Sequence, residues 1–137
     1  IMERSTISSP HGIKLIPVSS IFRFGQCGYR VYLLDFGSPL PAVREIPGTL
    51  KVGSSALEGS VQKTISFELA DVSAPVAALL AACRGTFLVA LYTDERGNRR
   101  VAGSPDYPLT LDYTDAGGSF TVTLTGIDTD PDAFLAG

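Results

Sequence analysis

Tryptophan is missing from this sequence, histidine occurs once, at His11, and cysteine twice, at Cys27 and Cys83. Each scarcity removes a class of chemistry. A Ser-His-Asp or Cys-His arrangement would have to use His11, which lies in an N-terminal "SSPHGIK" stretch with no nucleophile elbow around it and reads as an exposed loop residue. Zinc sites built from histidine and cysteine need more of both than this chain holds. Cys83 falls on the apolar stripe of a predicted helix, where a small buried residue fits, so two free thiols in a reducing compartment are expected rather than a bridge. Sugar-binding modules often stack tryptophan on their ligand, and none is present.

Positive charge is also in short supply. Eleven Lys and Arg stand against fourteen Asp and Glu, a formal net charge of -3, and only Arg96, Arg99 and Arg100 cluster. Nucleic-acid and anionic-membrane surfaces need clustered cations, so neither partner is expected. The longest apolar runs, "APVAALLAAC" and "TFLVALY", fall well short of the ~20 residues of a membrane-spanning helix. "IMERSTISSP" has no apolar centre of the kind an export signal carries. "GQCG", with Gly25 and Gly28, fits neither phosphate-cradling loop spacing. The acids are spread over turns and strand ends, with no pair placed for general acid-base work. No enzyme, cofactor, metal or small-molecule substrate is therefore expected.

What the sequence does hold is alternation. With 137 residues, 45% of them hydrophobic, it makes one domain with apolar surface to spare for an interface. In "SVQKTISFEL", Val61, Lys63, Ile65, Phe67 and Leu69 share one face; in "SFTVTLTG", Phe120, Val122 and Leu124 do. "LTLDY" repeats the pattern, and "IKLIPV", "IFRF", "RVYLLDF" and "GTLKVG" give further strands, with Pro17 at a strand end. "TFLVALY", 86–92, is apolar on both faces and predicts a central strand covered on both sides. One helix is predicted over 73–84: Ser73 as N-cap, Pro75 in the first turn, Val76, Leu79, Leu80 and Cys83 on one stripe, then Arg84 and Gly85 to close it. Strands 86–92, 98–103, 108–113 and 118–126 read as a meander, its first turn a three-residue loop, Glu95-Arg96-Gly97. The prediction is a mainly β fold, an antiparallel β-sandwich or barrel with one short flanking α-helix.

Two stretches stand outside this pattern. Residues 38–60 are rich in Pro, Gly and Ser and predict a long arm or loop that leaves the body. "DTDPD" places Asp128, Asp130 and Asp132 at alternating positions, as in a calcium loop, but Ala133 stands where glycine belongs and no closing Glu follows, so a solvated turn is expected.

The segment 59–126 resembles structural proteins of prophage-type gene clusters through a "TDxxGxxRxxGSPxxPL" core and a terminal "VTLTG" strand: Thr93-Asp94, Gly97, Arg100, Gly103-Ser104-Pro105, Pro108-Leu109 and Val122 to Gly126. The resemblance implies a virion component of tail-tube, tail-end or neck type, made in the bacterial cytoplasm, with copies of itself and other virion proteins as partners. The subunit contacts expected on that reading are Arg96, Asn98, Arg99, Arg100, Asp106 and Tyr107 along the hairpin and the following loop, and Leu40, Val43, Leu50 and Leu57 on the arm. The alternative is a secreted or surface β-sandwich that binds protein or glycan through its loops.

Overall fold

A computed structural model describes residues 10–41, 43–69, 73–115 and 117–135. The elements are β1 (His11–Pro17), a 3-10 turn (Val18–Ser20), β2 (Ile21–Cys27), β3 (Arg30–Phe36), β4 (Lys51–Leu57), β5 (Ser60–Leu69), α1 (Ala74–Cys83), β6 (Phe87–Thr93), β7 (Arg99–Ala102), β8 (Leu109–Asp115), β9 (Phe120–Asp128) and β10 (Ala133–Leu135). Among the described residues the fold is mainly β, as the alternation requires, with a single short α-helix. The strands join in the order β2-β3-β10-β7-β6-β8-β9-β5-β4, with β1 added on β6. All pairings are antiparallel except β10 with β3.

Strand β6 is the hinge of this order, and its two apolar faces explain why. Leu88, Ala90 and Tyr92 point into a large core with Ile65, Phe67 and Leu69 of β5, Leu109 and Leu111 of β8, and Phe120, Val122 and Leu124 of β9. Val89 and Leu91 point the other way, into a smaller core with Ile16, Val31, Val101 and Ala133, roofed by Phe24, Leu34 and Phe36 of the β2–β3 hairpin. Burying a Leu, Val or Phe side chain stabilises by about 1.5–3 kcal/mol, so a strand lined on both sides draws from two apolar layers at once. Helix α1 covers the large core with Val76, Leu80 and Cys83, while Leu79 is only half-buried. Cys83 is buried and Cys27 exposed, and both thiols are free.

Three expectations are corrected. The meander breaks between β7 and β8. Both lie along the same margin of β6, β7 on Ala90–Thr93 and β8 on Phe87–Leu88. The loop between them closes on itself, with Ser104 and Tyr107 exchanging backbone hydrogen bonds of 3.2 and 3.1 Å, so the chain advances along β6 instead of reversing beside β7. The far side of β7 is taken by β10, a three-residue strand too short to show a period.

The arm does not leave the body over most of its length. Leu40 N–H donates to Leu15 C=O at 2.8 Å and Ile46 N–H to Glu68 C=O at 2.7 Å. The Glu45 carboxylate accepts from the N–H groups of Gly12 and Ile13 at 2.9 and 3.2 Å. These bonds press Leu40 and Val43 onto the large core and sink Leu50 into it at 2% exposure. Past Leu50 the chain enters β4, which is laid on β5 from Lys51 to Leu57 as the last strand of the sheet. His11, finally, begins β1 opposite Thr93 and is exposed on a strand, not in a loop.

Candidate functional site

The hairpin tip forms as its residues dictate. Asp94 N–H donates to Asn98 C=O at 2.8 Å, and Gly97, at φ 84°, supplies the left-handed residue that a three-residue turn needs. The Asp94 carboxylate accepts the N–H groups of Arg96 and Asn98 at 2.9 and 2.8 Å. It also pairs with Arg100 at 3.3 Å. Burial opposes ionisation of Asp94, but these donors outweigh it and hold the carboxyl below the usual range.

The expected contact residues fall into five places. Arg96, Asn98 and Arg99 are exposed at the tip. Arg100 is half-buried and turned inward: it donates to Asp132 C=O at 2.6 Å and lies over the Phe134 ring at 4.1 Å, with Nε buried and unpaired. Asp106 and Tyr107 are exposed in the loop at the other end of β7, where Ser104 Oγ accepts from Tyr107 N–H at 3.1 Å. Leu57 is exposed at the end of the β4–β5 hairpin, whereas Leu50 is a core residue and Leu40 and Val43 lie against that core, so these three serve the body of the subunit. Arg96, Asn98 and Arg100 do share a cleft of about 360 Å³ with Tyr92, Asp94 and Phe134. A second cleft, of about 430 Å³, gathers Gln26, Tyr32, Ser104, Asp106, Tyr107 and Asp130.

"DTDPD" is the motif whose environment differs most from expectation. Asp128 is buried, not solvated, and Lys63, placed inward by its alternation on β5, is only 3% exposed. Lys63 Nζ lies 3.1 Å from Asp128 Oδ2 and 3.2 Å from Asp132 Oδ1. The other oxygen of Asp132 accepts from the Tyr92 hydroxyl. Asp128 Oδ1 accepts the backbone N–H groups of Thr129 at 2.6 Å and Asp130 at 3.3 Å. Burial first, and the Asp132 carboxylate second, drive the Tyr92 pKa far above that of a free phenol, so it stays a hydrogen-bond donor at every working pH. Asp128 and Asp132 thus answer to a lysine, and Asp130 does not reach it; among the described residues no group of three or more His, Cys, Asp or Glu is arranged to hold a metal ion. Sequence reasoning had the lysine on its correct face and the acids in their loop; the 65-residue separation between Lys63 and Asp128 hid the match.

The margins of the sheet differ from one another. Strand β2 carries two register shifts, between Ile21 and Arg23 and between Gly25 and Gln26, and an Arg23–Asp35 ion pair at 2.5 Å. Strand β4 pairs with β5 without a break from Lys51–Ser66 to Leu57–Ser60, and no described strand covers its other side. Gly53, Ser54, Ser55 and Ala56 along it are exposed. The chain matches no protein-family model, no curated protein and no solved structure.

Proposed function

We propose that this chain is a non-enzymatic structural subunit of a phage or prophage tail, which associates with copies of itself through its sheet margin at β4, the β4–β5 turn beside Leu57 and the tip at Arg96–Arg99. The observation that carries the reading is the undefended β4 edge. Edge strands offer open N–H and C=O groups to any passing strand, and they are usually blunted by bulges, proline or inward charge. Strand β2 has such devices; β4 has one lysine at its start and then small side chains over a regular ladder. A backbone edge left open beside a 46%-exposed Leu57 suits strand addition between subunits. The tail assignment rests on the resemblance of 59–126, the segment that spans β5 to β9.

The test is sedimentation of the full chain at rising concentration, beside a Ser54→Lys, Ala56→Lys variant. The wild type is expected to form higher-mass species that the variant, still folded by circular dichroism, does not. A wild type that stays monomeric up to its solubility limit refutes edge-mediated assembly. Deleting the arm would not serve, because it would remove Leu50 from the core. Genes for tail or portal components beside this one would support the tail assignment.

The exposed aromatics of the β2–β3 hairpin favour a second reading, a binding module for protein or glycan. Phe22, Tyr29 and Tyr32 are 72, 67 and 61% exposed, and Tyr32 and Tyr107 line the 430 Å³ cleft. Calorimetric titration with oligosaccharides, and its abolition by Tyr32→Ala, checks it.

A further inference from the structure

We propose that Lys63 and Asp128 condense into an intramolecular amide that ties β5 to β9, with Asp132 as the carrier of the proton. The two strands are neighbours: Val61 stands opposite Asp128 and Lys63 opposite Gly126, so the side chains reach each other diagonally across one ladder. Four features of the site coincide with what such a condensation needs.

The nucleophile is an amine shut away from water, its side chain 3% exposed. The electrophile is held against it, with Oδ2 of Asp128 at 3.1 Å from Nζ and the side chain 8% exposed. Oδ1 of the same carboxyl accepts the backbone N–H groups of the next two residues, Thr129 at 2.6 Å and Asp130 at 3.3 Å, an Asx turn that fixes the carboxyl and leaves donors beside the oxygen on which charge would develop. A second carboxylate, Asp132, touches the same Nζ at 3.2 Å and is itself held by Tyr92. Sequestered charges are costly to keep, and converting an ammonium and a carboxylate into an amide removes both.

The step balances without a co-reactant. One proton passes from Nζ to Asp128 Oδ2, leaving a neutral amine beside a neutral carboxyl. The nitrogen lone pair attacks Cγ of Asp128, forming the C–N bond, and negative charge develops on Oδ1 under the Thr129 and Asp130 N–H groups. Asp132 removes a second proton from nitrogen and delivers it to Oδ2. The Cγ–Oδ2 bond breaks, water leaves, Oδ1 becomes the amide carbonyl, and Asp132 returns to a carboxylate. The third proton stays on the amide nitrogen. Proximity supplies the driving advantage, since both partners are fixed by the fold within contact distance.

The experiment is intact mass spectrometry of the purified full chain under denaturing conditions, followed by proteolysis. The expected mass is lower than that of the sequence by one water, with a branched peptide that joins the segment around Lys63 to the segment around Asp128. Lys63→Arg, which keeps a cation but has no amine, and Asp132→Asn, which keeps the shape but carries no proton, are both expected at full mass. A wild type at full sequence mass after prolonged incubation overturns the proposal, as does a loss of water without the branched peptide. The wild-type measurement decides the question even where a variant does not fold.

Discussion

Replacing Leu50 with alanine tests whether the Pro- and Gly-rich segment before β4 belongs to the body of the molecule. Leu50 is 2% exposed within the large core, and the chain leading to it is tied down by Glu45 and by the Ile46–Glu68 backbone bond. Truncating a buried leucine removes its transfer free energy and leaves a cavity, together about 2–5 kcal/mol. The neighbours here belong to paired strands that cannot collapse far, which places the expected loss near the middle, about 3 kcal/mol. Leu57, seven residues on at the exposed end of the same hairpin, is 46% exposed, and its truncation is expected within about 0.5 kcal/mol of the wild type. Guanidinium unfolding followed by far-ultraviolet circular dichroism and tyrosine fluorescence suits a chain without tryptophan. At a slope of about 4 kcal/mol/M, Leu50→Ala should lower the midpoint by roughly 0.8 M while Leu57→Ala leaves it in place. Equal, small shifts for both variants would refute the docking of Leu40, Val43 and Leu50 and restore an arm free of the core.

Two further outcomes follow from the same geometry. A methyl group at Gly126 would stand 2.7 Å from Leu109 Cδ2 and 2.8 Å from Pro108 C=O, whereas one at Gly53 meets nothing within 4 Å. Gly126→Ala is expected to cost about 1–3 kcal/mol in thermal or chemical unfolding, and Gly53→Ala close to nothing. Asp94 has its pKa lowered in the folded chain, so its contribution is complete above the unfolded value and is lost as pH falls through the folded one. Asp94→Ala should therefore lower stability by about 1–3 kcal/mol at neutral pH, and the gap to the wild type should close as titrations are carried below about pH 4; a gap that is independent of pH counts against the assignment.

The parts of the fold that could be read from the sequence are those whose cause is local. Val61 to Leu69 alternate because one face of β5 is buried, and Leu88 to Leu91 do not alternate because both faces of β6 are. The helix was legible from Val76, Leu80 and Cys83, and the tip from Gly97. The misread parts depend on partners far along the chain. Nothing near Leu50 announces the backbone bond from Ile46 to Glu68, and nothing in "GSPDYP" says that β8 will continue along β6 instead of folding back on β7. The buried ion cluster was half legible. Lys63 breaks an otherwise apolar face, which is a signal in itself: a lysine in such a position needs an acid, and the closely spaced aspartates of 128–132 are the densest supply downstream.

Because β6 lends one face to each of the two cores, neither layer can melt alone. Opening the β2–β3 roof strips Val89 and Leu91, while loosening α1 and β5 strips Leu88 and Ala90 from the same seven residues. The amide hydrogens of Leu88 to Leu91 should therefore exchange with solvent last, and only when the whole polypeptide lets go at once.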